Sequence, residues 1–367
     1  MGFNCGIVGL PNVGKSTLFN ALLQTAAAEA ANYPFCTIEP NTGRVGVPDA
    51  RLNALAAVAH SAQIIPTQLE FVDIAGLVKG ASQGEGLGNQ FLAHIREVDA
   101  VLYVLRCFEG GDVTHVEGAV DPLRDKAIVE TELVLADLES MEKRLPALQK
   151  KAKGGDKEAA ALLPLAESLQ ATLARGEPAR SVMPKNAGEE RQLQLLQLLT
   201  AKPVLYVCNV DEESAGGGNA LSARVEAMAT QEGAACVAVS AKIESEIAVL
   251  PTEAEKQEFL GALGLQETGL SRVIHAGYRL LDLITFFTVG PKEARAWTVA
   301  RGTKAPQAAG VIHTDFEKGF IRAETIAYED YIRHNGEHGA KEAGKMRLEG
   351  KEYEVHDGDV LHFRFNT

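Results

Sequence analysis

Short, almost continuously apolar runs alternate with helical patterns from residue 1 to about 128 and again from about 200 to 282. Apolar runs of this length are typical of strands that are covered on both faces, and their alternation with helices is typical of a mostly parallel sheet. The runs lie at 3–9, 69–73, 100–106, 203–209 and 235–240. The pattern therefore predicts an α/β domain formed by residues 1–128 and 200–282.

The stretch 129–199 has a different pattern, rich in Leu, Ala, Glu and Lys, with apolar residues at helical spacing on both sides of Gly154 and Gly155. It predicts two antiparallel helices inserted into the α/β domain. After residue 282, strand-like runs with glycine-bearing turns predict a small, separate, strand-rich module at 283–367. Those runs lie at 284–289, 294–300, 320–326, 351–355 and 360–365.

Composition narrows the class of protein. The 367 residues are 46% hydrophobic, which suits two or three domains with buried cores. No apolar run is long enough to span a membrane and no secretion signal is visible, so we expect a cytoplasmic protein without membrane contact. The five cysteines lack paired spacing and predict free thiols in a reducing compartment. A formal charge of −13 argues against a generally basic nucleic-acid binder.

The first predicted strand leads into Gly9-Leu10-Pro11-Asn12-Val13-Gly14-Lys15-Ser16 and then a helical pattern. This is the phosphate loop G-x-x-x-x-G-K-S in its strand–loop–helix context. Glycines permit the tight backbone, and the loop N–H groups with the helix N-terminus bind phosphate oxygens. Lys15 would contact the phosphates and Ser16 would ligate Mg²⁺. The predicted nucleotide-binding residues of this segment are Asn12, Val13, Gly14, Lys15, Ser16 and Thr17.

Asp73, which ends the run 69–73, is predicted to hold Mg²⁺ through water. The N–H of Gly76 would sense the γ-phosphate. Thr37, in the loop-like stretch between the two motifs, suits a switch residue that reaches Mg²⁺ when a triphosphate is bound. Its neighbour Cys36 is either a thiol open to oxidation or a small residue packed under the loop.

The run 203–209 ends in Asn209-Val210-Asp211-Glu212, at the place where related GTPases carry the guanine-reading pattern Asn-Lys-x-Asp. Here Val210 replaces the lysine, and Glu212, one methylene longer, replaces the aspartate. Selectivity for guanine is therefore expected to weaken. Ser240 and Ala241, in the sequence Ser-Ala-Lys after the next strand, match the loop that completes the base pocket.

The segments GLPNVGKST, FCTIEPN, DIAGLVKGAS, NVDE, SAK and APQAAGVIHTDFEKGFIRAE together resemble the YchF family, the Obg-like ribosome-binding ATPases. The resemblance covers essentially the whole chain. It implies a GTPase-type domain, an inserted helical arm and a C-terminal TGS domain, which is a small β-grasp-like module. It also implies a preference for ATP over GTP, with main-chain contacts to adenine at Val210.

Leu77 follows Gly76 where Ras-like enzymes place the water-orienting glutamine, and a leucine has no group for that task. The resemblance implies His115 as the catalytic residue instead. Asn12 is either ordinary loop structure or part of a K⁺ site, as in some phosphate-loop enzymes that lack this glutamine. Intrinsic turnover should be slow without a partner.

The resulting expectation is a nucleotide-switch ATPase, monomeric, that binds the whole ribosome and its large subunit. Two alternatives remain: a GTP-hydrolysing ribosome-assembly factor, and a stress-regulatory binding protein gated by nucleotide. Six basic residues near the arm tip oppose only Asp156, so this tip and the near-neutral C-terminal module are the predicted ribosome contacts. The six are Lys143, Arg144, Lys150, Lys151, Lys153 and Lys157.

Overall fold

The computed structural model describes residues 3–30, 41–74, 87–110 and 119–366, with two six-stranded sheets in that part of the chain. The strands are β1 (Asn4–Val8), β2 (Thr42–Gly46), β3 (Gln63–Ile65), β4 (Gln68–Asp73), β5 (Ala100–Arg106), β6 (Val204–Asn209), β7 (Ala235–Val239), β8 (Leu283–Val289), β9 (Glu293–Ala300), β10 (Phe320–Ala327), β11 (Arg347–Glu349) and β12 (Asp359–Phe365).

The α-helices of the described part lie between these strands. They are α1 (Lys15–Ala30), α2 (Ala50–Ala59), α3 (Leu87–Glu97), α4 (Pro122–Lys153), α5 (Lys157–Ala174), α6 (Ala187–Leu196), α7 (Ala220–Glu232), α8 (Ala241–Ala248), α9 (Glu253–Ala262), α10 (Gly269–Leu280), α11 (Ala305–Ile312), α12 (Thr314–Lys318), α13 (Tyr328–Arg333) and α14 (Glu337–Glu342). None of these helices is both long and apolar enough to cross a membrane.

The first sheet has the strand order β2-β4-β1-β5-β6-β7. The five strands from β4 to β7 in that order run parallel, whereas β2 is an antiparallel edge strand. All seven residues of β5 are buried, because helices cover both faces of the sheet centre. The predicted α/β class and its five apolar strands are confirmed. The short, glycine-bearing β2 lacks an apolar run, so the sequence pattern did not predict it.

The helical region begins in contact with the first sheet. Val129 and Leu133, in the first half of α4, belong to the core of that sheet, whereas Met141 and Leu145 pack against Leu169 of α5. The helix therefore runs without a break through residue 129, the predicted start of the insertion. Gly155 has a φ of +91°, which allows the tight turn into α5.

A buried charge network attaches the base of this arm to the first sheet. Lys126 of α4 forms ion pairs with Glu130 and with Glu232 of α7, the latter at 2.8 Å. The Tyr206 hydroxyl of β6 donates to Glu232 Oε2 at 2.6 Å. Arg180 also pairs with Glu130. Because buried charges need partners, the four charged groups hold the helices in one place.

The second sheet has the order β11-β10-β12-β8-β9-β3. Four of the strands predicted for the C-terminal module are present as β8, β9, β10 and β12. The predicted strand at 351–355 is wrong: this stretch has only an isolated bridge between Glu354 and Lys304, and the strand lies earlier, at β11. The reason is a turn after β11, closed by the Tyr353 N–H, which donates to the Gly350 carbonyl at 3.2 Å.

A segment from the N-terminal part of the chain completes the second sheet. β3 pairs in parallel with β9, and Leu52 and Leu55 of α2 pack in a core with Phe287. Arg51 Nη1 contacts Asp357 Oδ2 at 2.7 Å. This segment falls inside the range predicted for the nucleotide-binding domain, so the module at 283–367 is not separate from that domain in space. The domain boundaries themselves stay a prediction.

The cysteines of the described part are free thiols. Cys5, Cys107 and Cys208 are buried, and Cys236 is half-buried. Burial raises the pKa of Cys5 to about 12, so its thiol stays protonated. Cys36, the predicted oxidation-sensitive thiol, lies outside the described residues.

The contact between α2 and the second sheet is expected to contribute strongly to stability. Leu55 has no exposed surface, so Leu55→Ala should lower the free energy of unfolding by about 2–5 kcal/mol through lost burial and a cavity. Urea unfolding followed by fluorescence of Trp297, the single tryptophan, measures this. In the same sheet Leu348 is 61% exposed, and Leu348→Ala should change the value by less than about 0.5 kcal/mol. If both variants lowered the free energy of unfolding equally, the contact between α2 and the second sheet would not be the stabilising one.

Candidate nucleotide site

The loop between β1 and α1 has the backbone that its glycines predict. A Cβ on Gly9 would lie 2.7 Å from the Val104 carbonyl oxygen of β5. Gly14 has a φ of +90°, and a Cβ there would overlap the side-chain nitrogen of Asn209. Both positions therefore require glycine, because the loop passes directly against two neighbouring strands.

Lys15 and Asp73, which the sequence assigns to phosphate and to metal, lie in contact with each other. The Lys15 ammonium forms an ion pair with Asp73 and donates to the Ile74 carbonyl at 2.9 Å. Parallel pairing causes this contact, since Ile7 of β1 is in register with Asp73 of β4. The phosphate side and the metal side of the predicted site therefore meet at one sheet edge.

Asn209 joins the phosphate loop to the loop after β7. Its Nδ2 donates to the Val13 carbonyl and its Oδ1 accepts from the Ala241 N–H, each at 2.9 Å. The residue is only 5% exposed. Both ends of the amide are thus used to hold two loops of the site together.

Val210 is buried, and its N–H donates to the Val239 carbonyl at 2.8 Å. A main-chain contact from this residue to a base would therefore fall to its carbonyl oxygen. Ser240 is 2% exposed, and its hydroxyl has no hydrogen-bond partner among the described residues. Both residues line the same cavity.

Glu212, at the position of the guanine-reading aspartate, forms an ion pair with Lys242. The pair lies at the surface, with 43% of the Glu212 side chain and 65% of the Lys242 side chain exposed. The hydrogen bond from Lys242 lowers the pKa of Glu212, so the carboxylate stays ionised to a lower pH than usual.

These motifs surround one cavity of about 790 Å³, a size typical of sites for small molecules and cofactors. Asp73 and Val13 do not line the cavity but contact two residues that do, Lys15 and Asn209 respectively. The predicted residues that line the cavity are Asn12, Gly14, Lys15, Ser16, Thr17, Asn209, Val210, Glu212, Ser240 and Ala241.

The sequence interpretation missed one wall of the cavity, formed by the end of β5 and the residues that follow. Arg106 is 3% exposed, its guanidinium carbon lies 4.5 Å from the Phe108 ring centre, and Nη2 donates to the Gly110 carbonyl at 3.0 Å. Glu109 lies on the same wall. The sequence contains a signal for this wall, because a charged residue, Arg106, ends the otherwise apolar run 100–106.

Several predicted positions lie outside the described residues: Cys36, Thr37, Gly76, Leu77 and His115. In the described part, no group of three His, Cys, Asp or Glu side chains is placed to hold a metal. The Ser16 hydroxyl and the Asp73 carboxylate nonetheless fit Mg²⁺, which prefers oxygen ligands and binds through one or two protein groups with phosphates and waters.

The fold and the site together define a phosphate-loop nucleoside triphosphatase of the GTPase type. A family model described as 50S ribosome-binding GTPase matches residues 4–143. The YchF GTPase C-terminal model, described as a protein of unknown function, matches residues 283–366.

Comparison with known proteins then gives the family. The chain is 60% identical to the ribosome-binding ATPase YchF of Haemophilus influenzae and 55% identical to that of Bacillus subtilis, with 100% of both chains covered in each case. The solved YchF GTPase of Schizosaccharomyces pombe is 38% identical, with a TM-score of 0.87, and the match covers 99% of this chain and 98% of that one. The chain belongs to the YchF family.

We expect Asn209→Ala to weaken nucleotide binding about tenfold or more, because it leaves the Ala241 N–H and the Val13 carbonyl without partners. Calorimetric titration with a non-hydrolysable ATP analogue measures the dissociation constant. Asn186→Ala is the matched control: Asn186 caps α6, away from the cavity, where its Oδ1 accepts from the Glu189 N–H at 3.0 Å. Unchanged affinity in Asn209→Ala would contradict the role of the amide.

Proposed function

We propose that this chain is an ATPase that converts ATP and water to ADP and phosphate, and that it acts as a nucleotide switch on the ribosome. The observation that carries the proposal is that the phosphate loop and the altered base motif line the same cavity. Relatives that share 55–60% of its residues are named ribosome-binding ATPases, which supports the same activity here.

The part of the cavity lined by Val210, Glu212, Ser240 and Ala241 is called its base end here. Its hydrogen-bonding groups support a preference for ATP. The N–H of Val210 is already bonded to the Val239 carbonyl. The main-chain group that Val210 offers to a base is therefore its own carbonyl, which accepts hydrogen bonds. The exocyclic amino group of adenine donates, whereas the corresponding oxygen of guanine accepts. Adenine therefore matches the Val210 carbonyl and guanine opposes it. Paired ATP and GTP titrations test this preference.

At the phosphate end, Lys15 would exchange its contacts with Asp73 and Ile74 for phosphate oxygens. We propose that Ser16, Thr37 and, through water, Asp73 hold Mg²⁺, which when bound would neutralise charge on the phosphates. The N–H of Gly76 would contact the γ-phosphate.

Asn12 lines the cavity with a φ of +65°. We propose that it takes part in a K⁺ site beside the phosphates, where a second cation would add positive charge. A comparison of turnover in K⁺ with turnover in Na⁺ decides between this role and ordinary loop structure.

For the contact with the ribosome we propose the arm tip and the C-terminal module. Two of the six basic residues in the sequence cluster are engaged within the arm: Lys143 pairs with Glu139, and Arg144 Nη1 donates to the Leu196 carbonyl at 2.7 Å. The exposed basic residues that remain at the tip are Lys150, Lys151, Lys153 and Lys157. Their spacing around the turn at Gly155 suits RNA phosphates.

The C-terminal module supports the same contact less directly. From residue 290 it carries 12 basic and 13 acidic residues, so it lacks the strong negative charge of the rest of the chain. We further propose that the protein works in the cytoplasm as a monomer and that it binds both the large subunit and the whole ribosome.

We expect His115→Ala to lower ATP turnover at least about tenfold while ATP affinity changes less than about twofold, because a water-positioning group acts in the transition state and not in ground-state binding. Lys15→Ala is the reference variant and should lose both affinity and turnover. Phosphate release with Mg²⁺ and a separate ATP titration measure the two quantities. Full turnover in His115→Ala would contradict its catalytic role, and full turnover in Lys15→Ala would overturn the ATPase proposal.

Replacing the four exposed tip lysines by glutamine should weaken ribosome co-sedimentation about tenfold and make it less sensitive to salt, because fewer phosphates are neutralised. The control replaces Lys185 and Arg191, exposed residues that lie outside the tip, by glutamine. If the tip variant and the control sediment alike across a salt series, the arm tip is not the contact.

A further inference from the structure

The ion pair between Glu212 and Lys242 occupies a decisive position in the base end of the cavity. Glu212 stands where a guanine-reading carboxylate would stand, and Lys242 follows directly after Ser240 and Ala241. Glu212 Oε1 accepts a hydrogen bond from Lys242 Nζ, and both residues line the cavity. The carboxylate is therefore already bonded to a residue of the neighbouring loop.

We propose that Lys242 is a specificity-determining residue, which disfavours guanine by holding the Glu212 carboxylate. Guanine presents two donors side by side, its N1–H and its exocyclic amino group, and a carboxylate is the acceptor that matches both. Adenine presents no such pair of donors. When Lys242 holds the carboxylate, the affinity for GTP falls and the affinity for ATP stays almost the same. Specificity is the difference between the two binding free energies, so it shifts towards ATP. The inference rests on the proposed nucleotide-binding function.

The other polar side chains of the motif also have partners within the protein, so release of Glu212 from Lys242 would supply the free carboxylate of the motif. The side-chain amide of Asn209 is hydrogen-bonded to the Val13 carbonyl and to the Ala241 N–H. The Asp211 carboxylate accepts from the Ser214 N–H at 2.9 Å, within its own turn. Glu212 is one methylene longer than aspartate, and this added reach suits a bond to the neighbouring loop.

The expected change in GTP affinity follows from the solvent exposure of the Glu212 and Lys242 side chains. Because the side chains of the pair are 43% and 65% exposed, water and salt weaken their attraction, and the bond is easily exchanged. Its release is therefore expected to change GTP affinity by about two- to fivefold, which is less than full guanine specificity. Lys242 acts as a bias on base choice and not as an absolute barrier.

The test compares ATP and GTP dissociation constants, with Mg²⁺ and non-hydrolysable analogues, in four forms of the full chain. Lys242→Met keeps an unbranched side chain, shorter by the terminal nitrogen, and removes the charge, so GTP should bind about two- to fivefold more tightly while ATP changes less than about twofold. Lys242→Arg keeps the charge and should retain the wild-type ratio. The double variant Lys242→Met with Glu212→Gln should lose the gain, since the carboxylate is then absent.

Ionic strength supplies a second measurement that needs no variant. Salt weakens the phosphate contacts of both nucleotides alike, so the GTP-to-ATP ratio isolates the base, and in the wild type it should move towards GTP as salt screens the pair. An unchanged ratio in Lys242→Met, or a gain that persists in the double variant, would overturn the inference while leaving the ATPase proposal intact. A wild type that binds neither nucleotide would overturn both.

Discussion

Parallel pairing of β1 with both β4 and β5 is the interaction on which the site depends. In a parallel sheet the carboxyl ends of neighbouring strands meet at one edge, and ligands bind in the crevice outside those ends. The phosphate loop leaves β1, Asp73 ends β4, Arg106 ends β5 and Asn209 ends β6. Residues far apart in the chain thus meet at one edge of the sheet, where Lys15 contacts Asp73, 58 positions further along the chain. The glycines of the loop are required because the neighbouring strands approach so closely.

One continuous stretch of chain, from β2 to β4, contributes to both sheets and so connects the C-terminal module to the strand that ends at Asp73. After β2 the chain leaves the first sheet, packs α2 into the second core and adds β3 beside β9. It then returns through β4, which ends at Asp73. The hydroxyls of Thr67 and Thr298 bond where the returning segment passes the second sheet. The connection between the C-terminal module and the strand that ends at Asp73 is therefore short and well packed.

At the base end of the cavity, the polar groups of the altered base motif are bonded to the protein itself. Asn209 braces two loops, Val210 offers only its carbonyl and Glu212 is bonded to Lys242. The chemistry of the cavity therefore depends on which polar groups are already bonded to the protein. The sequence predicted weaker guanine selectivity from the longer side chain of Glu212, whereas its bond to Lys242 is visible only after folding.

The local signals in the sequence were sufficient for the α/β class, five strands of the first sheet and the phosphate loop, because apolar period, glycine spacing and motif order are properties of consecutive residues. These local signals did not predict the contacts between distant segments of the chain. β2 and β3 are short and have no apolar period, the stretch 351–355 alternates like a strand but forms a turn, and α2 looks like a helix of the first domain. Only the tertiary structure decided that α2 and β3 join the second sheet, that Arg106 and Phe108 form a wall of the cavity, and that Lys242 holds Glu212. The physical reason is that long-range packing and hydrogen-bond partners are set by which surfaces meet after folding, and short-range pattern carries no record of them.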